Sequence, residues 1–248
     1  MLQIEYDGTF SGFLTAIFYA FEAKTNDVTF YSALFSLNSS FALFGDTMVC
    51  ETELDKAERV ESGIKNKLGD GCYYNIYGAW RSHESMIEDH LFAYLKLCFK
   101  NKRNLSEMIQ HPVVNKVIMT SKKVGRECHR FLGLLRFRRI NDLNILVADF
   151  EPDFDILEDI APHFIDRLNT ERFIIRDNHY KKALIADIGR HIFIDLRTQE
   201  LNIPETDDSF ESMWCAYYKA LTIKERVNPA CQRNHMPKKY WKNLSEKQ

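Results

Sequence analysis

Hydrophobic positions recur with helical spacing directly after the first short strand of the chain. Residues 2–6 alternate apolar and polar side chains, which predicts a β-strand that turns at Asp7-Gly8. In the segment that follows, apolar side chains occupy the i, i+3, i+4, i+7, i+8 and i+11 positions: Phe10, Phe13, Leu14, Ile17, Phe18 and Phe21. This spacing places them on one face of a helix, so we expect them to line a core.

Short strands and several helices are predicted over the rest of the first half. Runs of β-branched and aromatic side chains predict two strands with polar turns beside them: strands over 28–35 and 41–52, turns at Asn38-Ser39-Ser40 and Gly45-Asp46. Stripes at helical spacing predict four helices: 55–68, 72–80, 84–99 and 113–135. Ser82 is expected to cap the third of these helices, and Pro112 to open the fourth.

The second half changes to a strand-rich pattern. Apolar runs predict four strands and one intervening helix, in the order β-α-β-β-β: 144–150, helix 155–168, 172–176, 183–188 and 191–196. Hairpin connections are expected at Asp177-Asn178-His179 and Gly189-Arg190, which makes the sheet mainly antiparallel with a helix on one face. A helix over 209–221 follows, and beyond Asn228-Pro229 the chain is expected to be irregular and basic.

These patterns together predict an α+β fold. The first half is largely helical with short strands, and the second half is an antiparallel sheet unit followed by a helical, basic C-terminal tail. We expect a single domain over residues 1–248, with a possible subdivision into 1–140 and 141–248.

Composition describes a globular chain without a strong overall charge. The 248 residues are 45% hydrophobic, and the formal net charge of −2 excludes a histone-like polycation. The six cysteines include no C-x-x-C pair, which argues against a zinc ribbon and a disulfide framework and favours a reducing compartment. The sequence shows no secretory signal and no apolar stretch of about 18 residues, so no membrane association is expected. We therefore expect a cytoplasmic protein.

Basic residues concentrate in the long helix and just after it. Between Lys116 and Arg139 there are eight cations and one acid, Glu127. Cations that could bind nucleic acid in this segment are Lys122, Lys123, Arg126, Arg130, Arg136 and Arg138. The first four fall along one side of the helix, an arrangement that suits a phosphate backbone. The alternative is a solvated helix face whose charges pair with the acidic segment that follows.

A second basic segment lies near the C-terminus and contains two aromatic residues. Lys238 and Lys239 precede Tyr240 and Trp241, and interleaved cations and aromatic rings are typical of surfaces that bind single-stranded nucleic acid. The same side chains could instead anchor the segment to its own domain, with Tyr240 and Trp241 buried. The residues alone leave both alternatives open.

An acidic run lies between the two basic segments. Residues 142–159 contain seven carboxylates and no cation, and four carboxylates are two residues apart: Asp149, Glu151, Asp153 and Asp155. In an extended chain they would share one side, as a Mg²⁺ site might require. Pro152 interrupts the extension, however, and Asp153 or Asp155 suits the N-cap of the helix that begins near Ile156. We therefore predict capping, and neither a metal ion nor a cofactor.

Four sets of motifs resemble a bacterial family described as probable DNA metabolism proteins. The matching segments are Tyr6-Asp7-Gly8-Thr9-Phe10 with residues 12–16, residues 127–137, Glu151-Pro152-Asp153 with residues 161–164, and residues 236–242. The similarity extends over essentially the whole chain. Members of this family carry a domain of unknown function and tend to be encoded beside a putative DNA-repair radical S-adenosylmethionine (SAM) protein. In some bacteria they are fused to a uracil-DNA glycosylase-like domain.

The resemblance implies an association with DNA repair or DNA modification, with the radical SAM protein as a partner. It supplies no established catalytic residue. We expect no glycosylase domain in this chain, and no C-x-x-x-C-x-x-C cluster for an iron–sulfur centre is present.

Two hypotheses follow. The first is a DNA-binding accessory protein that holds nucleic acid weakly, with little sequence preference, for a partner enzyme. The second is an enzyme that acts on nucleic acid or a nucleotide, with the polar residues of the motifs as catalytic candidates: Glu127, His129, Asp153 and His163. We favour the accessory protein because the motifs contain mostly arginine, aromatic residues and glycine.

Overall fold

A computed structural model describes residues 2–23, 25, 27–34, 46–140, 144–198, 201 and 209–244. Over these residues the fold is α+β, as predicted, with eight α-helices and two β-sheets. The chain divides into two compact units, residues 1–126 and 127–248. Among the helices described, none is both long and apolar enough to cross a membrane.

The first unit is built around a three-stranded parallel sheet. Its strands are β1 (Leu2–Tyr6), β2 (Val28–Ser32) and β3 (Asp46–Cys50), in the order β2-β1-β3, and helix α1 (Phe10–Glu22) connects β1 to β2. The predicted strands are confirmed where the structure describes them. Asp46 begins β3 instead of forming a turn, and the expected turn at residues 38–40 lies outside the described residues.

Helix α1 buries the face that its apolar spacing predicts. Its N-cap residue Thr9 accepts a hydrogen bond from the Gly12 backbone N–H at 2.9 Å. Phe13 and Ile17 are fully buried, which confirms the predicted core face. Phe10 and Phe18 are only half-buried, and Phe21 is 38% exposed and packs edge-on against Phe92 and Phe99.

Helices complete the first unit. They are α2 (Leu54–Leu68), α3 (Asp70–Trp80), α4 (Ile87–Asn101) and α5 (Pro112–Leu134), and α5 continues across the boundary into the second unit. The prediction that Ser82 caps α4 is wrong. The N-cap position falls on Met86, while the Ser82 hydroxyl donates to the Ala79 carbonyl at 2.7 Å and therefore stays with the end of α3.

The second unit contains a five-stranded mixed sheet. Its elements are β4 (Phe137–Ile140), β5 (Ile145–Phe150), α6 (Leu157–Arg167), β6 (Arg172–Asp177), β7 (Lys182–Asp187) and β8 (Arg190–Asp195). The strands follow one another in sequence order, and all neighbours are antiparallel except β5 and β6, which α6 connects in parallel. The prediction from sequence therefore missed strand β4 and the parallel pairing of β5 with β6.

Three short helical elements and one longer helix follow the sheet. Helix α7 (Ser209–Leu221) is confirmed. The expected irregular tail is wrong, because helix α8 (Pro229–His235) begins directly after Asn228, whose side chain accepts from the Cys231 backbone N–H at 3.0 Å. Short 3₁₀ turns occupy Lys224–Arg226 and Lys238–Asn243, and we call the second of these the C-terminal turn.

Candidate functional site

The C-terminal turn is anchored on a buried carboxylate at the start of the second unit. Glu127 is 2% exposed and Tyr240 is 4% exposed. The Tyr240 hydroxyl donates to Glu127 Oε1 at 2.8 Å, and the Phe154 backbone N–H donates to Glu127 Oε2 at 2.9 Å. The Tyr240 ring also packs edge-on against Phe131, with 5.1 Å between ring centres. Both carboxylate oxygens are thus satisfied, so Glu127 holds the turn and the loop before α6 together.

The lysines of the C-terminal turn pair with the acidic run. Lys239 Nζ donates to Asp153 and lies 3.3 Å from Glu127 Oε1, while Lys242 Nζ lies 2.7 Å from Glu151. Desolvation works to lower the pKa of Lys239, but the hydrogen bonds to Asp153 and Tyr240 outweigh it and keep that pKa above its usual range. Lys239 is therefore a permanent cation whose charge is already neutralised within the unit.

The remaining aromatic of this segment makes local contacts. Trp241 Nε1 donates to the Met236 carbonyl at 2.9 Å, and Lys238 Nζ lies 6.0 Å from the centre of the Trp241 ring. Tyr240 is buried and Lys239 is paired, which is the arrangement expected if the segment anchors itself to its own domain.

The four carboxylates that are two residues apart bind different cations. Asp149 receives two hydrogen bonds from Arg176, at 2.5 and 2.9 Å, and Arg138 approaches it at 3.4 Å. Burial raises the pKa of Asp149, but the two guanidinium groups more than offset this and hold it below its usual range. Asp155 Oδ2 lies 2.6 Å from Lys182 Nζ. In the described part of the chain, no group of three or more His, Cys, Asp or Glu side chains is arranged to hold a metal ion.

The expected cap of α6 is wrong. The N-cap position falls on Ile156, which supplies no side-chain hydrogen bond. Asp155 instead pairs with Lys182 on β7, and Asp153 pairs with Lys239. The position of both carboxylates just before α6 made them candidates for the cap. Lysines from later segments of the chain bind them instead.

A shallow cleft of about 470 Å³ lies beside the C-terminal turn. It is lined by Glu151, Pro152, Asp153, Asn178, His179 and Lys239. His179 Nδ1 lies 2.6 Å from the Pro152 carbonyl oxygen, which can only accept a hydrogen bond. The proton of the neutral imidazole is therefore on Nδ1, and Nε2 carries the lone pair that can accept a proton. The catalytic candidates predicted from the motifs did not include Asn178 or His179, which the sequence places in a predicted hairpin connection.

The turn that carries His179 is held by a buried carboxylate. Asp177 Oδ1 accepts from the backbone N–H groups of His179 and Tyr180, each at 2.9 Å. Asp177 is fully buried, and among the described residues none forms a hydrogen bond with Oδ2. Burial, with a smaller contribution from the charge of Asp155, raises the pKa of Asp177 to about 7.

The catalytic candidates are only partly brought together. Glu127 and Asp153 share Lys239, and Asp153 lines the cleft. His129 is exposed on α5, and His163 is exposed on α6 with its ring edge-on to Phe164. Neither of these two histidines lines the cleft, where His179 is found instead.

Exposed cations lie along helix α5. Lys122, Lys123 and Arg126 are exposed, and Arg130 is half-buried one turn further along the helix. Lys123 approaches Glu84 at 3.4 Å, and Arg126 Nε donates to the Lys122 carbonyl at 3.2 Å. Among the described carboxylates, none forms an ion pair with Lys122, Arg126 or Arg130.

The other arginines proposed for this surface make contacts elsewhere. Arg136 donates to the Gly133 carbonyl at 2.9 Å, and its guanidinium lies 5.8 Å from the centre of the Trp214 ring. Arg138 belongs to the sheet, where it approaches Asp149. Neither side chain therefore extends the row on α5.

Comparison with known proteins gives a family but no activity. No curated protein matches the chain. A family model described as a domain of unknown function, DUF4130, matches residues 85–246. The match includes Glu127, the 151–155 loop and the C-terminal turn, whereas the motif that begins at Tyr6 lies before it. Because the match covers well over half of the sequence, the chain belongs to the DUF4130 family.

Proposed function

We propose that the protein binds nucleic acid through the exposed face of α5. In this proposal it is a cytoplasmic accessory protein of DNA repair or DNA modification that acts with a partner enzyme, for which the motif resemblance suggests a radical SAM protein. The observation that carries the proposal is the row of Lys122, Arg126 and Arg130, to which no described carboxylate is paired.

The spacing of these cations suits a charged polymer better than a small ligand. Lys122, Arg126 and Arg130 are four residues apart, so the row is about 12 Å long at 1.5 Å per residue. Cations in such a row can contact successive phosphates and release their condensed counterions. Contacts of this kind reach phosphates and do not read base edges. We therefore expect weak binding with little preference for nucleotide sequence.

Fluorescence anisotropy with labelled oligonucleotides over a salt series tests this proposal. We expect the parent chain to bind at low salt, with log K falling against log salt by about 0.9 per neutralised phosphate on duplex and about 0.7 on single strands. The variant Lys122→Glu/Arg126→Glu should bind more weakly and with a flatter slope, because both phosphate contacts are lost.

The matched control is Lys67→Glu/Lys100→Glu, which changes the net charge equally at exposed positions on α2 and α4. It should retain most of the affinity, since long-range effects of net charge are screened over about 10 Å at 0.1 M salt. Absence of binding by the parent at low salt, or equal loss in both double variants, would refute α5 as the binding surface.

An enzyme acting on nucleic acid or a nucleotide is the second candidate. It is favoured by His179, whose Nε2 is available as a proton acceptor in the same cleft as Lys239 and Asp153. Mass spectrometry on oligonucleotides and nucleotides recovered after incubation tests it. A product that the parent forms and His179→Gln does not form would support this candidate. If the masses of all oligonucleotides and nucleotides stay unchanged, the enzymatic candidate is rejected and binding remains the proposed function.

A further inference from the structure

The turn between β6 and β7, residues 178–181, holds the loop that precedes α6. His179 Nδ1 lies 2.6 Å from the Pro152 carbonyl oxygen, and the Tyr180 hydroxyl donates to the Asp153 carbonyl at 2.8 Å. Each contact joins residues that are 27 positions apart in sequence. Pro152, Asp153 and His179 also line the cleft, so the conformation of this β6–β7 turn determines whether the cleft is assembled.

The β6–β7 turn depends on a side chain for its conformation. Lys181 has φ +56°, in the left-handed region that favours glycine, so the backbone of the turn is not the one its own residues prefer. Asp177 Oδ1 accepts from the backbone N–H groups of His179 and Tyr180, each at 2.9 Å. The Asp177 carboxyl group therefore holds the turn in place.

The position of Asp177 disfavours a charge on this carboxyl group. Asp177 is fully buried, and no donor in the described part of the chain reaches Oδ2. A buried carboxylate without a counter-charge is strongly unfavourable, whereas a neutral hydroxyl in the same place costs much less. Burial accordingly raises the pKa of Asp177 to about 7. The closed turn is thus the state that keeps the proton on Asp177.

The titratable side chains around Asp177 come from three elements: Asp155 in the loop before α6, Lys182 on β7, and His179 and Tyr180 in the turn. Asp155 is buried, and its charge opposes ionisation of Asp177. Lys182 lies opposite Asp177 in register, but its Nζ donates to Asp155 Oδ2 at 2.6 Å. A charge on His179 acts in the other direction with a smaller effect than that of Asp155. On β5 the residue opposite Asp177 is Phe150, which carries no charge.

We propose that the β6–β7 turn is a pH-sensitive latch on the cleft, held closed by the protonated Asp177 carboxyl group and loosened when Asp177 ionises. Opening exposes the carboxylate to water and ends the contacts with Pro152 and Asp153. Ligands of the cleft would therefore meet an assembled site in acid and a looser one near neutral pH. The latch does not depend on the proposed binding of nucleic acid.

The linkage between proton and turn sets the expected pH dependence. In the open turn Asp177 has its ordinary pKa of 3.8, and in the closed turn its pKa is about 7. The equilibrium constant for opening should therefore rise by about tenfold per pH unit between about pH 4 and pH 7, and level off above.

Hydrogen–deuterium exchange of the full chain tests the latch. It is measured by mass spectrometry from about pH 5 to about pH 8 and corrected for the intrinsic pH dependence of exchange. In the parent, protection of peptides covering 151–156 and 178–182 should fall by about tenfold per pH unit up to about pH 7 and then stay constant. In Asp177→Asn, which keeps a carbonyl oxygen for the two N–H groups and cannot ionise, protection should not follow this curve. Peptides of the first unit should show the same protection in both proteins.

Two further variants sharpen the test. Asp166→Asn makes the same chemical change at an exposed position on α6 and should behave like the parent. Asp155→Asn removes the charge that opposes ionisation and releases Lys182, so protection should level off about one pH unit or more lower.

Circular dichroism checks that each variant is folded, and Asp155→Asn decides the outcome if Asp177→Asn is not. The latch would be overturned by an equal pH dependence in the parent and a folded Asp177→Asn, by protection in the parent that does not change with pH, or by a loss spread evenly over the whole chain. An unchanged levelling-off in folded Asp155→Asn would overturn it too.

Discussion

At the scale of single residues, Asp177 has an unusual environment for a carboxylate. It is fully buried and lies near the charge of Asp155, and within the part of the chain that the structure describes only one of its two oxygens accepts hydrogen bonds. Its pKa in the folded chain is about 7, whereas the ordinary value is 3.8. The folded state therefore binds the Asp177 proton more tightly than the unfolded state does.

This difference predicts how Asp177 affects stability as pH changes. Between about pH 4 and pH 7 the unfolded chain loses the Asp177 proton first, so the free energy of unfolding falls as pH rises through this window. One unit of pKa difference corresponds to about 1.4 kcal/mol, and the total effect is a few kcal/mol at most. Asp177→Asn cannot titrate, so it should flatten this pH dependence and raise stability at pH 7.

Urea unfolding at a series of pH values checks the Asp177 prediction. Asp187→Asn is the control, because Asp187 is exposed on the neighbouring strand β7. If Asp177→Asn shows the same slope against pH as the parent, the carboxyl group of Asp177 does not titrate as described.

At the scale of secondary structure elements, the apolar spacing of helix α1 leads to a clear prediction about stability. The Phe13 ring is fully buried, with Tyr6 and Phe30 at 5.7 and 5.6 Å between ring centres. Phe13→Ala should reduce the free energy of unfolding by about 3–5 kcal/mol, because it leaves a cavity among side chains that cannot fully collapse. Phe21→Ala, at the exposed end of the same face, should cost much less.

Urea denaturation followed by circular dichroism measures both phenylalanine variants. Similar losses for Phe13 and Phe21 would contradict the burial of Phe13, since the two substitutions remove the same group.

The elements that sequence predicted well are those whose signal is local. Apolar spacing identified α1 and α5, because a helix buries one face whatever it packs against. The short strand β4 was missed because Phe137-Arg138-Arg139-Ile140 continues the basic segment and becomes a strand only by pairing with β5. The predicted cap of α4 was misplaced because the N-cap residue is Met86, at φ +59°. Methionine is not a residue type from which a left-handed backbone conformation would be predicted.

The candidate site was less predictable than the fold. The sequence suggested that Tyr240 could be an anchor, but its partner Glu127 is 113 residues away. A separation of 86 residues likewise conceals the pairing of Lys239 with Asp153, because neither neighbourhood in sequence contains the other. Sites assembled by long-range contacts leave no local periodicity from which they could be recognised.

At the scale of the whole molecule, charge is segregated along the sequence and largely paired in the second unit. The formal charge of −2 conceals two basic segments and an acidic run between them. Asp149, Asp153 and Asp155 each bind a cation in this unit. The carboxylates therefore compete with any external phosphate for the same lysines and arginines, which is why the row on α5 is the more accessible surface.

This competition predicts the effect of removing the carboxylates. In Glu151→Gln/Asp153→Asn, Lys242 and Lys239 each lose one carboxylate partner in a part-exposed position, while Glu127 stays beside Lys239, so phosphates can take the place of the lost partners. Nucleic-acid affinity should rise, and the slope of log K against log salt should steepen by up to about two phosphate equivalents. The same anisotropy series measures this effect.

The control for the carboxylate variant is Asp166→Asn/Glu107→Gln, which changes the net charge equally at exposed positions that form no ion pair in the described part of the chain. An equal gain in affinity from this control would mean that net charge, not the release of the C-terminal lysines, determines binding.

The contact between Glu127 and Tyr240 also fixes when the second unit can be completed. Its first residue and one of its last side chains share a hydrogen bond across 113 positions, and Phe131 packs on the same ring. During synthesis, Glu127 emerges from the ribosome long before Tyr240 does, so the buried carboxylate lacks its phenol partner for most of translation. The strands between them can pair earlier, but the surface beside Phe131 stays uncovered until the C-terminal turn docks, which makes that docking a late step in the folding of this unit.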